Sequence, residues 1–310
     1  MNNPRRARWL GLTVLAALAL LLPSAHVRGN EPAVTFSNQI ARLFQQHCQG
    51  CHRPGEIAPF SLTSYQDAHT WRQYILDAAR ARRMPPWKPV PGFGEFVDAR
   101  RLSEAEIALI EAWVKAGAPE GDPRDLPPPR PFPATWSLGS PDLVLTPEAA
   151  FEVPASPQDL YRCFTIPTSF TEDRYVTAAE FIPGNRKVVH HLLTYIDTTG
   201  ESERLDRAEP GLGYTCFGGP GFLPRGGLSG WAPGARPQVM PEGVGMFLPA
   251  GARVVLQVHY HNHGPGPEMD RTRIGLHFAR GPIDKRMRAI PVLNRHFLIP
   301  AGEARHEVRA

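Results

Sequence analysis

Apolar side chains recur at helical spacing in the first part of the chain. Three helices are expected, at residues 36–47, about 65–83 and 103–117. The third opens with Ser103 and Glu106, which have the spacing of a capping box, and it ends at Gly117. The pattern therefore predicts a small all-α domain over residues 30–118.

Short apolar runs separated by glycine and proline replace this periodicity further along the chain. They predict strands at 142–145, 161–166, 175–181, 188–196, 253–261 and 274–278. Such a series is typical of an all-β jelly roll or sandwich, expected here over residues 135–296. Residues 119–134 are rich in proline and predict a semi-rigid linker, so the protein is expected to be multidomain.

The N-terminus has the order of a secretory signal peptide. A basic segment at residues 2–8 precedes an apolar run at 9–22, and then come Pro23 and small residues. The run is shorter than the ~20 residues that a membrane-spanning helix needs. We expect cleavage within residues 1–29 and a periplasmic or secreted protein with no stable membrane span. An uncleaved anchor is the alternative.

The charge balance argues against a nucleic-acid partner. The chain has 34 Lys and Arg against 30 Asp and Glu, and four of the arginines lie in the predicted signal peptide. The remainder is balanced, whereas a nucleic-acid-binding protein usually carries a basic stripe. A hydrophobic content of 42% is enough for packed cores and argues against wholesale disorder.

Cys48, Cys51 and His52 form a Cys-x-x-Cys-His motif, the attachment pattern of haem c. The two thiols add to the two vinyl groups of one haem, and the adjacent imidazole binds the iron. The alternatives are half of a zinc site or a redox Cys-x-x-Cys. A zinc site would need further Cys or His ligands nearby, and residues 53–125 contain no cysteine. The motif therefore predicts covalent haem c on a small cytochrome domain.

A haem iron with one histidine ligand needs a sixth ligand. Met84 is the one methionine between residues 30 and 125, and Pro85 and Pro86 stiffen the chain behind it. A Met/His pair suits an electron-transfer cytochrome. His69, an open site, or Met84 as ordinary core packing remain as alternatives.

Cys163 and Cys216 lie far from the haem motif. In an exported chain two spare cysteines are expected to pair in a disulfide. The alternative is a thiolate ligand of a blue-copper site, but Cys216 lies far from the next histidine in the chain, His259.

Five histidines of the β region fall in two short segments, His190-His191 and His259-x-His261-x-His263. In a strand the second group shares one face, opposite an apolar face, and is expected to stay open to a ligand. His190 and His191 would point to opposite faces unless a strand end or bulge intervenes. Grouped imidazoles suit Cu or Zn. Solvated histidines on a polar strand face are the alternative.

The β region resembles the first domain of the copper type II, ascorbate-dependent monooxygenases. The resemblance rests on the His190-His191 pair, the Leu256–Tyr260 segment and the Cys163 segment. It implies copper held by His190, His191 and His259, with His261 and His263 outside the first shell. It also implies oxygen-dependent C–H hydroxylation with ascorbate or another electron carrier as donor and a small molecule or peptide as substrate. The haem segment resembles cytochromes fused to such domains.

The sequence departs from this family in one respect. The family's oxygen-activating copper lies in a second jelly-roll domain on a His-x-His pair, and the residues after His263 contain no such pair. Residues 297–310 resemble the opening strand of that domain. The first expected function is electron transfer from haem to copper for hydroxylation, and the missing His-x-His pair counts against oxygenase chemistry by this chain alone. A non-enzymatic electron-transfer or copper-binding protein and a β-sandwich binding module with incidental histidines remain as alternatives.

Overall fold

The computed structural model describes residues 34–96, 99–132, 135–290, 294 and 296–309. The predicted signal peptide lies outside these residues. Within the described part of the chain, no helix is long and apolar enough to cross a membrane.

The N-terminal described region is helical. Its elements are a π-helical turn at Phe36–Ile40, α1 (Ala41–His47), α2 (Tyr65–Arg80), α3 (Glu104–Lys115) and a 3-10 turn at Pro123–Asp125. The capping box forms as expected: the Ser103 hydroxyl oxygen accepts from the Glu106 backbone N–H, and the Ser103 N–H donates to the Glu106 carboxylate. These elements pack around Trp113, Phe44 and Ile40, all fully buried.

The helix α2 ends earlier than the sequence predicts, at Arg80 rather than Arg83. Arg82 has a left-handed φ of 54°, which ends the helical geometry. The backbone N–H groups of Arg83 and Met84 both turn back to the carbonyl of Ala78. Met84 therefore lies in the loop that follows the helix.

The predicted linker contains the 3-10 turn and contacts the helical region. Arg130 donates to the backbone carbonyl of Gln45, and the Gln45 side chain donates to the carbonyl of Pro128. Arg53 also lies over the ring of Phe132, with 3.8 Å from its guanidinium carbon to the ring centroid. These contacts fasten the proline-rich segment to α1 and to the loop that follows it.

The region after the linker forms two sheets, as the strand pattern predicts. Its strands are β1 (Leu143–Leu145), β2 (Phe151–Val153), β3 (Leu160–Pro167), β4 (Arg174–Ile182), β5 (Val189–Asp197), β6 (Tyr214–Thr215), β7 (Gly230–Trp231), β8 (Gln238–Val239), β9 (Val244–Leu248), β10 (Arg253–Tyr260), β11 (Glu268–Asp270), β12 (Arg273–Phe278) and β13 (Lys285–Met287). One sheet has the order β1-β12-β4-β9-β13, with β8 also paired to β4, and the other has the order β6-β3-β10-β5-β7. A helix α4 (Glu201–Ala208) follows β5, and β2 pairs with β11.

The strand β10 lies at the centre of the sheet that carries the histidines. Its residues Val254, Leu256, Val258 and Tyr260 point into the main core. The opposite face is covered too, because Val255 packs in a second cluster with Cys163, Cys216 and Tyr214. The expectation that this second face stays open is therefore wrong along most of the strand: Gln257 and His259 are each only 5% exposed.

The described residues 296–309 contain no strand, which contradicts the strand expected from residue 297 onward. Phe297, Leu298 and Ile299 are exposed, and a turn follows at 300–303. An apolar run becomes a strand only where a neighbouring edge accepts its backbone hydrogen bonds, and none of the described strands pairs with it.

Candidate metal and haem-attachment sites

Three histidines from two neighbouring strands converge at one end of the β5–β10 pair. His259 of β10 lies directly opposite His191 of β5, and the next pair is Tyr260 with Val189. His190 is therefore an extra residue on β5, and the register shifts at this point. This bulge lets adjacent histidines turn toward the same site, as the sequence required.

The Nδ1 atoms of the three rings face one another. Nδ1 of His191 lies 3.1 Å from Nδ1 of His190 and 3.2 Å from Nδ1 of His259. Within the described residues this is the one group of three or more His, Cys, Asp or Glu side chains whose ligand atoms all lie within 4.8 Å of one another. Two nitrogens bound to one ion at about 2.0 Å, the usual metal–imidazole distance, are separated by a similar amount.

The ring of His259 is held more firmly by its surroundings than the rings of His190 and His191. The Tyr161 ring stacks on it, with 4.2 Å between centroids and 9° between planes. The other nitrogen, Nε2, is buried and lies 3.1 Å from a carboxylate oxygen of Asp159, without hydrogen-bond alignment. His190 is exposed and His191 half-buried, so the site opens to solvent on the β5 side.

His261 and His263 do not join this group. His261 pairs with Asp159, with 2.8 Å between Nδ1 and the carboxylate, and its ring centroid lies 6.2 Å from that of His190. His263 packs against His261, with 3.9 Å between ring centroids. Both rings therefore lie beside the triad rather than in it.

The protonation states of His190 and His191 suit a metal site. Burial lowers the pKa of His190, and the neighbouring His259 lowers it further. Burial followed by the proximity of His259 and His190 likewise lowers the pKa of His191. Neutral imidazole, the form that binds metals, is therefore favoured at neutral pH.

Cys163 and Cys216 form a disulfide that joins β3 to the residue after β6. The disulfide lies under the same face of β10 that carries His259, two residues along the strand. Gln257 connects the two features, because its side-chain amide donates to the Cys216 carbonyl at 2.5 Å. The two cysteines are therefore not metal ligands beside the three histidines.

The haem-attachment motif follows α1 directly. Cys48 and Cys51 are free thiols and both are partly buried. Burial, and then the nearby Cys51, raise the pKa of the Cys48 thiol to about 12. Nδ1 of His52 lies 3.1 Å from the carbonyl oxygen of Phe60. This contact fixes the ring and leaves Nε2 for a metal.

Met84 and His69 are the two residues considered for the sixth position. Met84 is 46% exposed and lines a cavity of about 690 Å³ between the end of α2, residues 85–91 and the start of α3. His52 is not among the residues that line this cavity. His69 lies on α2 beside Tyr65 and Arg72.

Two residues at the triad were missed in the sequence. Tyr161 is the cross-strand partner of His259 on β3, and Asp159 lies one residue before β3. Neither carries a motif of its own, and both become visible only once the pairing of β3 with β10 is known.

The comparison with known families decides how the triad is interpreted. Residues 144–265 match the copper type II ascorbate-dependent monooxygenase, N-terminal domain. The match runs from β1 to beyond β10 and contains the triad and both cysteines of the disulfide. No curated protein matches the chain.

The copper monooxygenase match and the histidine triad together support copper as the metal of this region. The site also fits copper on its own chemistry. It offers three imidazole nitrogens with no carboxylate in the group, and such donors favour copper over the harder divalent ions. The match leaves the helical region, with its Cys-x-x-Cys-His motif, outside its bounds.

Proposed function

We propose that the protein is an exported haem c and copper oxidoreductase of the monooxygenase type. In this function Cys48, Cys51 and His52 hold the haem, and His190, His191 and His259 hold copper. Haem held there would accept electrons from ascorbate or another carrier, and copper held by the triad would use them for oxygen-dependent hydroxylation of a C–H bond in a small molecule or peptide. The observation that carries the proposal is the convergence of three Nδ1 atoms within a matched copper domain.

Different residues would bind the copper and position its ligands. His190, His191 and His259 supply the nitrogen ligands, and the bulge at His190 aims two successive side chains at one point. Tyr161 restricts the ring of His259 by stacking on it. Copper bound there supplies one-electron redox chemistry. The exposed side of His190 leaves an approach for solvent or a partner group.

The residues of the helical region support haem attachment. Cys48 and Cys51 are free and belong to one turn, in which the Cys51 N–H donates to the Cys48 carbonyl. The Phe60 carbonyl orients His52, and a haem there supplies one-electron transfer. Met84 remains the proposed sixth ligand on sequence grounds. Export is supported by the disulfide, which survives in oxidising compartments.

A non-enzymatic electron-transfer or copper-binding role is the second candidate. Within the described residues the triad is the one group of metal-ligating side chains that converges on a point, whereas the resembled family uses a second copper site to activate oxygen. The triad alone would then accept or store electrons.

One set of measurements separates the two functions. The full chain, produced with haem maturation, is analysed for covalent haem and for copper stoichiometry, and oxygen consumption is followed with ascorbate. Bound haem and one copper per chain support both functions. Substrate-dependent oxygen consumption, abolished in His259→Ala, supports the oxygenase. Bound copper without oxygen consumption supports the electron-transfer role, and failure to bind copper overturns both.

A further inference from the structure

The haem-attachment loop contacts the β region at a specific place. Glu56, four residues after His52, has a carboxylate that is only 6% exposed and binds two arginines. One is Arg53 of the same loop at 2.5 Å, and the other is Arg186 at 3.4 Å. Arg186 belongs to the turn between β4 and β5, four residues before His190.

A second contact lies beside the first. Arg100 donates to the backbone carbonyl of Pro233 at 2.9 Å, in the turn after β7. The neighbouring Gly234 has a φ of +78°, and a Cβ placed there would lie 3.4 Å from the sulfur of Cys51 and 2.6 Å from Arg100. The left-handed conformation favours glycine at this position, and a Cβ there would also displace the Arg100 guanidinium.

The two contacts meet the strand that carries the copper ligands. In β7, Trp231 pairs with Leu192 of β5, and Leu192 directly follows His191. Trp231 is buried, and the guanidinium of Arg186 lies 5.7 Å from its ring centroid. Residues 231–234 thus run from the neighbour of His191 to the sulfur of Cys51.

We propose that Arg186 and residues 231–234 form an intramolecular docking site for the haem-attachment loop, which holds that loop beside the strand carrying His190 and His191. The proposal rests on the proposed function and adds to it the surface that joins the two sites. Glu56 is the positioning residue on the loop, and Gly234 permits the close approach.

The docking site gives the two redox sites a fixed relationship within one chain. If haem is held at Cys48, Cys51 and His52 and copper at the triad, one electron could pass from ferrous haem to cupric copper within one chain, with no encounter between separate molecules. The ion pair between Glu56 and Arg186 spans the two regions. Removing Arg186 would leave the buried Glu56 carboxylate with Arg53 alone, so the contact between the regions should weaken.

The test compares Arg186→Glu with Lys187→Glu in the haem-loaded, copper-free full chain. Both variants make the same charge change at adjacent positions, but Lys187 is exposed and is not in the Glu56 pair. Hydrogen–deuterium exchange is measured over residues 48–56 and 230–236. We expect faster exchange in both segments in Arg186→Glu and exchange like the unmodified protein in Lys187→Glu.

Milder variants keep the test decisive if Arg186→Glu fails to fold. Arg186→Gln and Glu56→Gln should each accelerate exchange, and the double variant should exceed Glu56→Gln by little, because Glu56→Gln already breaks the Arg186 pair together with the Arg53 pair. Additive effects, or exchange that stays unchanged in every Arg186 variant, would overturn the proposal.

The copper-loaded protein provides a second readout. After rapid photoreduction of the haem, reoxidation is followed by absorbance at several protein concentrations. We expect a rate independent of concentration in the unmodified protein and in Lys187→Glu, and a slower rate in Arg186→Gln. A rate proportional to protein concentration in the unmodified chain contradicts docking. Absence of covalent haem or of copper contradicts the proposed function instead, while the exchange experiment still reports on the contact itself.

Discussion

His191 and His259 are direct cross-strand partners in the β5–β10 pair, and their Nδ1 atoms lie 3.2 Å apart. Directly opposite residues of an antiparallel pair project to the same face of the sheet. A hydrogen bond between two neutral imidazoles needs an N–H on one ring and a lone pair on the other, and His191 Nδ1 offers only one N–H or one lone pair to its two neighbours. A bound cation would accept the Nδ1 lone pairs of His190, His191 and His259 at once. The His191–His259 pair therefore fixes the position of the metal site.

The first prediction separates ligands from neighbours within the histidine-rich strand. His259→Ala removes a nitrogen that faces His191 and should abolish stoichiometric copper binding. His261→Ala removes a ring that contacts Asp159 instead, and should leave one copper per chain, weakened by at most the ~10–100-fold typical of residues behind the first ligands. Copper content and a competition titration measure both. Equal loss in the two variants would mean that the site is a His-x-His chelate.

Much of the β fold could be predicted from the sequence because apolar and polar residues alternate along the long strands. The strands β3, β4, β5, β10 and β12 all fall within a few residues of their expected positions. The two-residue strands β6, β7 and β8 were missed, since pairs such as Gly230 and Trp231 have no period to detect. They form only because a longer strand offers an edge.

The site was predictable in its members but not in its setting. Residue identity and the resemblance point to His190, His191 and His259, and parity along β5 even requires a bulge. Parity does not show that the disulfide cluster covers the face of His259, nor that Tyr161 stacks on it. Those facts depend on which strand lies beside β10, and a single sequence does not specify that pairing.

The second prediction concerns the sixth iron ligand. Met84 follows the haem motif in a stiffened loop, so Met84→Ala should remove the weak charge-transfer band of methionine–iron ligation and lower the haem reduction potential. His69→Ala, a change on α2, is the control and should leave the band in place. If the band persists in Met84→Ala, Met84 is not the sixth ligand. Loss of the band in His69→Ala as well would show that the band does not report on Met84 alone.

The third prediction concerns the Cys163–Cys216 disulfide. The cross-link encloses a long segment, so its removal should lower the free energy of unfolding by roughly 2–4 kcal/mol, measured by chemical denaturation. Cys163→Ala alone already breaks the bond. The double change to alanine should therefore cost little more than the single one. A double variant with twice the loss would indicate that packing of the two side chains, rather than the cross-link, supplies the stability.

The last prediction is a pH dependence that arises at the start of α4. Burial by itself would raise the pKa of Asp197, but hydrogen bonds from Ser202 and Thr199 overcome it and hold the pKa at about 2. The carboxylate accepts from the Ser202 hydroxyl at 2.6 Å and from the Thr199 hydroxyl at 2.7 Å. The folded protein therefore binds this proton less readily than the unfolded chain, whose aspartate titrates near its ordinary value of ~3.9.

A lowered carboxyl pKa stabilises the fold at every pH above the unfolded value, and the contribution disappears as pH falls from about 4 toward 2. Asp197→Asn should accordingly lower the free energy of unfolding at pH 7 by about 1.5–3 kcal/mol, the range for hydrogen bonds to a charged group, and flatten the decline in acid. Asp125→Asn alters an exposed carboxylate of a short turn and serves as the matched control, with little expected change. Denaturant titrations at pH 7, 5, 4 and 3 measure both variants. Parallel pH profiles for Asp197→Asn and the unmodified protein would show that this carboxylate does not contribute to the acid response.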